Sequence, residues 1–320
     1  MCKPASGVGA AGGRTDPSSS AGPLGPSTKE SVEATDREVT PVTTQPHPSS
    51  GAATRDHATL QFIGNATVLL RYAGFTVLTD PNFVHSGEQV PLGYGLSATR
   101  LKDPAMELDE LPDLDFILLS HYHGDHFDPV VEERLDRSVP ILTNPQAAGI
   151  LEEKGFLATE ALDTWEQLEH TSPTGRLRVT AMPGRHAPGI LDLVLPDVMG
   201  SLLEFWHDEA MVPTEPILRL YISGDTIVYE GLEEIPQRHP RIDLALLHLG
   251  GTRVMGVTVT MDAEQGVDML QILDPALAIP IHFDDYDAFK SPLSDFVAAV
   301  RDAGLESRVR YLDRGETLPL

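Results

Sequence analysis

The residues best suited to chemistry lie in one eight-residue stretch, His121-Tyr122-His123-Gly124-Asp125-His126-Phe127-Asp128, directly after the apolar run Phe116-Ile117-Leu118-Leu119-Ser120. Imidazoles and carboxylates are the nitrogen and oxygen ligands that borderline divalent ions such as zinc accept. In an extended segment, residues two apart point the same way, so His121 and His123 can converge on one ion. Gly124 then lets the backbone turn and present Asp125 and His126 to a second. A solvated polar loop is the competing reading, and so dense a cluster at a strand end disfavours it. The pattern recurs downstream: His186 follows the run Gly175 to Met182, Asp225 follows Pro216 to Ser223, and His282 follows Leu277 to Ile281. Alone, His186 or His282 reads as a capped-loop or core histidine, and Asp225 as a helix cap. Together, His121, His123, Asp125, His126, His186, Asp225 and His282 supply enough ligands for two ions sharing a water.

These residues need strands to deliver them. From Thr59 the chain shows short β-rich runs, Thr59 to Ile63, Thr67 to Tyr72 and Phe75 to Thr79, separated by the turn signals Gly64-Asn65 and Ala73-Gly74. The third run ends at Asp80, read either as a cap or as a partner for a metal-bound imidazole. Residues 82 to 112 form a long connection with little periodicity, suited to walling an active site. Asp128-Pro129 is a helix start, with a helix expected to about Arg137, and another is expected over Pro145 to Lys154 after the strand Val139 to Thr143. Two runs, Gly200 to Trp206 and Pro216 to Ser223, read as a hairpin. Strand and helix then alternate through Asp243 to Leu247, Asp262 to Leu273, Leu277 to Ile281, Leu293 to Ala303 and Val309 to Leu312. Two β-rich stretches, each followed by αβ units, predict an α/β protein of two packed sheets with helices outside.

Composition bounds the partners. Of 320 residues, 41% are apolar, enough for a sizeable core. Residues 1–56, rich in Gly, Ser, Thr, Pro and Ala and without an aromatic, read as a disordered tail, and 57–320 as the folded domain. The tail carries 5 basic and 6 acidic side chains, so 24 of the 25 net negative charges fall on the domain. Such a field repels phosphate backbones, and no nucleic acid is expected as a partner; a small-molecule substrate fits better. No run approaches the ~20 apolar residues of a membrane helix, and the N-terminus lacks the apolar core of a secretory signal, giving an expectation of a cytoplasmic protein with no membrane span. The composition leaves room for a homo-oligomer. The single cysteine, Cys2, lies in the tail, so any metal in the domain is held by nitrogen and oxygen.

The stretch HYHGDHFD matches the HxHxDH signature of the metallo-β-lactamase superfamily, and His186, Asp225 and His282 follow in the order that family uses. The resemblance runs from about Thr59 to the end. Gly64-Asn65-Ala66-Thr67, Thr79-Asp80-Pro81 and Glu110-Leu111-Pro112 look like the branch of ascorbate-6-phosphate lactonases and N-acylphosphatidylethanolamine-hydrolysing phospholipase D. The resemblance implies a four-layer αββα sandwich. It also implies two divalent ions, Zn²⁺ first with Mn²⁺ or Fe²⁺ as alternatives: His121, His123 and His186 bind one, Asp125, His126 and His282 the other, and Asp225 bridges. It further implies a metal-bridging hydroxide that cleaves an ester-type bond, lactone or phosphodiester, in a small molecule, with Asp125 orienting it and passing a proton.

His248, ending the run Asp243 to Leu247, has two readings: a substrate-facing proton-transfer residue that would join Asp125 in catalysis, or a structural hydrogen-bonded one. Asp284 and Asp285 read as solvated loop carboxylates, and His85, His170, His207 and His239 as surface residues. Trp206 with Ile190, Leu191 and Leu193 reads as ordinary hairpin core or as a lid over an apolar substrate part. The alternatives to hydrolysis are a di-iron redox protein on the same fold, an RNA-processing nuclease, which the acidic domain disfavours, and a binding module, which the intact ligand set disfavours.

Overall fold

The computed structural model describes residues 58–93, 95–207 and 215–320. The expected tail, 1–56, lies outside the described residues. In chain order the strands are β1 (Thr59–Gly64), β2 (Thr67–Tyr72), β3 (Phe75–Thr79), β4 (Gln89–Pro91), β5 (Ser97–Thr99), β6 (Phe116–Leu118), β7 (Ile141–Thr143), β8 (Thr159–Ala161), β9 (Gln167–Thr171), β10 (Gly175–Met182), β11 (Gly200–His207), β12 (Leu218–Ile222), β13 (Leu244–His248), β14 (Arg253–Val254), β15 (Val257–Thr258), β16 (Leu277–Ile281) and β17 (Thr317–Pro319). The α-helices are α1 (Pro129–Arg134), α2 (Pro145–Glu153), α3 (Glu234–Arg238), α4 (Ala263–Leu273) and α5 (Leu293–Asp302).

Two mixed sheets account for most strands, in the orders β17-β1-β2-β3-β6-β7-β8 and β16-β13-β12-β11-β10-β9. Their facing sides interdigitate through Leu70, Val77, Phe116 and Leu118 from the first and Val179, Leu203, Leu220 and Ile279 from the second. Ile117 and Ile141, on the outer face of the first sheet, pack on Val131 of α1 and Leu151 of α2. Tyr221, Ala245 and Leu247, on the outer face of the second, pack on Ile235, Leu270 and Phe296 of α3, α4 and α5. The layers are therefore α, β, β, α, and the central strands β6, β7 and β13 are buried on both faces, which is why they read as unbroken apolar runs rather than alternations.

Strand direction makes the site. In the first sheet β3 and β6 run parallel. In the second, β12, β13 and β16 are parallel, and β10, antiparallel to β11 as β11 is to β12, points the same way. The C-terminal ends of β10, β12, β13 and β16 therefore share one edge of their sheet. Met199 N–H and Asn144 Nδ2 both donate to the Ser120 carbonyl, at 2.9 and 3.1 Å, tying that edge to the end of β6.

Most expected elements appear within two or three residues, and the exceptions have local causes. The helix from Asp128 stops at Arg134 because Leu135 turns extended and buries its side chain. Val309 to Leu312 is not a strand: a 3-10 turn over Glu306–Arg308 leaves one bridge, Val309 to Ala278. The edge strand is instead β17, paired with β1. The long connection at 82 to 112 contains the β4–β5 hairpin and a 3-10 turn at Leu108–Glu110. Buried Asp128 pins its start, accepting from Phe83 and Val84 N–H as well as capping α1 through Val131 N–H at 2.8 Å.

Gly266 on α4 marks the tightest helix packing: a Cβ there would meet Leu249 Cδ2 and the Phe296 ring at 2.8 Å. Alanine gains about 1 kcal/mol of helix propensity, but overpacking a rigid buried ring costs about 1–3 kcal/mol. Gly266→Ala is expected to lower unfolding stability by about 1 kcal/mol, read as a lower urea midpoint, and an unchanged or higher midpoint would refute this packing.

Candidate metal centre

All seven expected ligand residues meet at the shared edge. His121, His123 and His186 bring one ligand atom each within 4.8 Å of one another, and so do Asp125, His126, Asp225 and His282. His121 Nε2 lies 3.1 Å from His123 Nδ1; His126 Nε2 lies 3.5 Å from Asp225 Oδ2, and His282 Nε2 3.4 Å from Asp125 Oδ2. Every one of the seven is buried except His123, which is half-buried.

The partners behind the rings set which nitrogen faces inward. His186 Nδ1 donates to the Val259 carbonyl at 2.5 Å and His282 Nδ1 to the Leu249 carbonyl at 3.0 Å, leaving both Nε2 lone pairs free. His121 Nδ1 lies 3.0 Å from Ser120 Oγ, and His126 Nδ1 lies 3.3 Å from Asp80 Oδ2. Among the described residues, His126 Nε2, His186 Nε2, Asp125 Oδ1 and Asp225 Oδ1 are buried with no hydrogen-bond partner. Buried polar atoms are rarely left unpaired, and these four lie within the two ligand clusters, while other unpaired buried atoms, Trp206 Nε1 and Thr180 Oγ1 among them, are scattered elsewhere. The donor set fits two divalent ions, one held by three imidazoles and one by two imidazoles and two carboxylates.

Electrostatics point the same way. Burial, with the imidazoles of His126, His123 and His186 adding to it, pushes His121 well below the usual histidine range. Burial, reinforced by His186, lowers His123 to about 3. Burial alone would lower His126 too, yet Asp225, Asp125 and Asp80 outweigh it and hold the ring well above that range. Asp225 is held well below the carboxylate range because His282 and His126 overcome its burial penalty.

Asp80 takes the partner role rather than the cap. Its Oδ1 accepts from Ser120 N–H at 2.7 Å, while Oδ2 stands 3.3 Å from both His126 Nδ1 and His248 Nε2. His248 is fully buried behind His126, Nδ1 lies 3.2 Å from Ser223 Oγ, and both ring nitrogens are engaged. That geometry favours the structural hydrogen-bonded reading of His248 over the proton-transfer one. Asp285 is no solvated carboxylate either, being buried between Arg100 and Arg314 at 3.0 and 2.8 Å. His170 stacks on Phe116 and His239 is largely buried, so neither is a surface residue. Trp206 is buried in β11 beneath Arg176 and Arg178, whereas Ile190 and Leu193 are 81% and 86% exposed.

Three contributors were not foreseen. Thr260 Oγ1 donates to Asp225 Oδ2 at 2.9 Å, Ser120 supports two imidazoles, and Asn65 Nδ2 donates to the Asp125 carbonyl at 2.6 Å. Only Asn65 carried a signal, as half of a Gly-Asn turn. Beside His123 a cavity of about 180 Å³ is lined by Pro91, Tyr122, Phe127 and Pro129 among others.

Comparison with known proteins agrees with this geometry. A beta-lactamase superfamily domain model matches residues 76–283. The chain belongs to the metallo-β-lactamase superfamily. It is 28% identical over 203 residues to a metal-dependent hydrolase of Archaeoglobus fulgidus, covering 63% of this chain and 80% of that one. Another metal-dependent hydrolase, from Anaeromyxobacter sp. (strain K), is 26% identical over 269 residues, covering 82% and 87%. Among solved structures, an isothiocyanate hydrolase from Delia radicum gut bacteria superposes with a TM-score of 0.68 at 21% identity, covering 82% of this chain and 99% of that one. A diiron beta-hydroxylase from Streptomyces venezuelae shares the fold at a TM-score of 0.60 and 18% identity, covering 83% and 55%. The chain is a metal-dependent hydrolase of this superfamily.

Acid should unfold the metal-free protein in a predictable window. His123 ionises near 3 when folded against 6.5 when unfolded, so between these values the unfolded chain binds more protons and stability falls with falling pH. His126 and His282, raised above 6.5, oppose the trend around that pH and cease to do so about a unit below it, where they are protonated in both states. Urea midpoints of the metal-free protein are expected to fall steadily from about pH 5.5 to about 3, and a flat profile would contradict it. Asp225→Asn removes one of the two carboxylates of the Asp125, His126, Asp225 and His282 cluster and is expected to abolish binding of at least one ion; metal analysis finding two would contradict that.

Proposed function

We propose that the chain is a two-ion hydrolase acting on an ester-type bond, lactone or phosphodiester, in a small molecule that also carries an apolar part. The observation that carries it is the pair of buried ligand clusters whose inward-facing acceptors have no protein partner. Two divalent ions held there would supply Lewis acidity and a water acidic enough to attack at neutral pH. His121, His123 and His186 would hold one, Asp125, His126 and His282 the other, with Asp225 between them.

The chain's own groups supply orientation and proton handling. Asp125 presents Oδ2 to His282 and has no protein partner on Oδ1, so with one oxygen on an ion the other would align the attacking water and pass its proton to the leaving oxygen. The neighbouring imidazoles of His126 and His282 outweigh burial and lower its pKa, which makes it a weak base, suited to orienting more than to abstracting. With both nitrogens of His248 engaged, Asp125 is the group left for this work. Asp80, Val259 and Leu249 fix the rings of His126, His186 and His282.

Apolar recognition is supported by the loop after His186. Leu191 of that loop and Val254 of the β14–β15 hairpin pack together on Ala187, Leu195 and Val259, the last being the residue whose carbonyl holds His186. The same two segments leave Ile190, Leu193 and Met255 exposed, Met255 at 93%. Large side chains this exposed beside a site suit contact with an apolar substrate part. The motif residues Gly64-Asn65-Ala66-Thr67 and Thr79-Asp80-Pro81 favour the lactonase and phospholipase D-like branch for the reacting bond.

The test is turnover of matched lactone, phosphodiester and β-lactam panels by purified protein, stripped by a chelator and reloaded with Zn²⁺ or Mn²⁺. Lactone or phosphodiester hydrolysis is expected to vanish on stripping and return on reloading, and turnover surviving exhaustive chelation would refute the proposal. Replacing Ile190 and Leu193 together by serine is expected to raise KM about tenfold for substrates with an apolar tail, with little change in kcat. Equal KM values would remove the loop from substrate recognition.

A further inference from the structure

We infer that Asn65 is the positioning residue of the second ion site, the one formed by Asp125, His126, Asp225 and His282, with Asp285 as its anchor. This rests on the two-ion reading above. Asn65 occupies the turn between β1 and β2, fully buried, far in sequence from every ligand residue. Its side-chain Nδ2 donates to the Asp125 carbonyl at 2.6 Å, and its own carbonyl accepts from His282 N–H at 2.9 Å. One residue thus grips the backbones of two ligands whose side-chain ligand atoms stand 3.4 Å apart. The spacing between Asp125 and His282 follows from where Asn65 sits.

Asn65 is itself fixed from behind. Its N–H donates to Asp285 Oδ2 at 2.9 Å, while Asp285 Oδ1 faces Arg100 Nη2 at 3.0 Å and Arg314 Nη1 at 2.8 Å. A buried carboxylate held by two guanidinium groups is a rigid anchor. Rigidity also holds two backbone conformations that most residues other than glycine avoid, at Asn and His, the types that adopt them more readily. Asn65 and His282 both adopt left-handed φ, +54° and +58°. Such conformations persist in non-glycine residues only where the surroundings over-determine them. Here the opposed strain is held by the His282 N–H bond to Asn65 and by His282 Nδ1 on the Leu249 carbonyl.

Asn65 makes no hydrogen bond to His121, His123 or His186 among the described residues, whose supports are Ser120 Oγ and the Val259 carbonyl. Its loss therefore acts on one ion and spares the other. Asn65→Gly keeps the left-handed turn relaxed and removes only the amide.

The experiment is Zn²⁺ titration of the metal-free full chain in competition with a chromophoric chelator, alongside thermal unfolding of the metal-free form. Wild-type protein takes up two ions. Asn65→Gly is expected to bind one ion with an affinity within about twofold of wild type and the other about 10–100-fold more weakly, the scale of losing a ligand's outer partner. Its metal-free Tm is expected to fall by only a few degrees, the scale of one lost buried hydrogen bond, leaving the variant folded at the titration temperature. Arg314→Gln, which loosens the anchor from a side chain 20% exposed, is expected to weaken one ion only, by a smaller factor, and carries the test if Asn65→Gly does not fold. Equal weakening of both ions, or two unchanged affinities in each folded variant, overturns the inference. A wild-type chain that takes up one ion instead overturns the two-ion reading beneath it.

Discussion

The constraint on which the rest of this structure depends is the charge balance of a buried edge. Asp80, Asp125 and Asp225 sit within hydrogen-bonding or ion-pairing reach of the same imidazoles, out of contact with bulk water. All three are held below the usual carboxylate range, Asp80 at about 2 against its burial penalty by His126 and His248, and so stay ionised. Without cations, the compensation comes from His126 and His282, which are raised and take protons. Buried charge is tolerable only when paired and hydrogen-bonded, and here two raised imidazoles face three carboxylates. Two divalent ions would replace those protons and leave every imidazole neutral, the form in which it binds metal.

The fold serves that balance by delivering ligands from strand ends. Parallel strands in both sheets finish at one edge, where chain direction makes donors of different sequence origin converge without long loops. Each ring is then fixed by a group on a neighbouring strand end or hairpin: Asp80 after β3 for His126, Val259 after β15 for His186, Leu249 after β13 for His282. The polar layer behind the ligands is continuous from Ser223 through His248 and Asp80 to Ser120. Precision at the site thus comes from rigid elements, while the exposed apolar side chains that differ in purpose lie on the loop after His186.

Much of this was legible in the amino-acid sequence because the signals were local. An apolar run followed by His or Asp marks a strand end whatever the rest of the chain does, and His121 to His126, His186, Asp225 and His282 were readable that way. So was Asp128-Pro129, whose cap geometry depends on residues three apart. What was not legible depends on distance. Asp285 looks like any loop carboxylate until Arg100, 185 positions away, and Arg314 are brought to it. His248 matches the strand-end pattern as well as His282 does, and only the position of Asp80, 168 residues earlier, turns it into a supporting residue. Strands of three residues, such as β4, β5 and β17, carry too few side chains for alternation to show, and β17 ends in a proline that only an edge tolerates.

The central claim is that the buried edge holds two ions, and counting them on the intact protein tests it most directly. Native mass spectrometry of the full chain, purified without chelator and loaded with Zn²⁺, is expected to show a mass increment of two ions with none left after exhaustive stripping. A chain that stays metal-free under loading, or saturates at a single ion, would contradict the account.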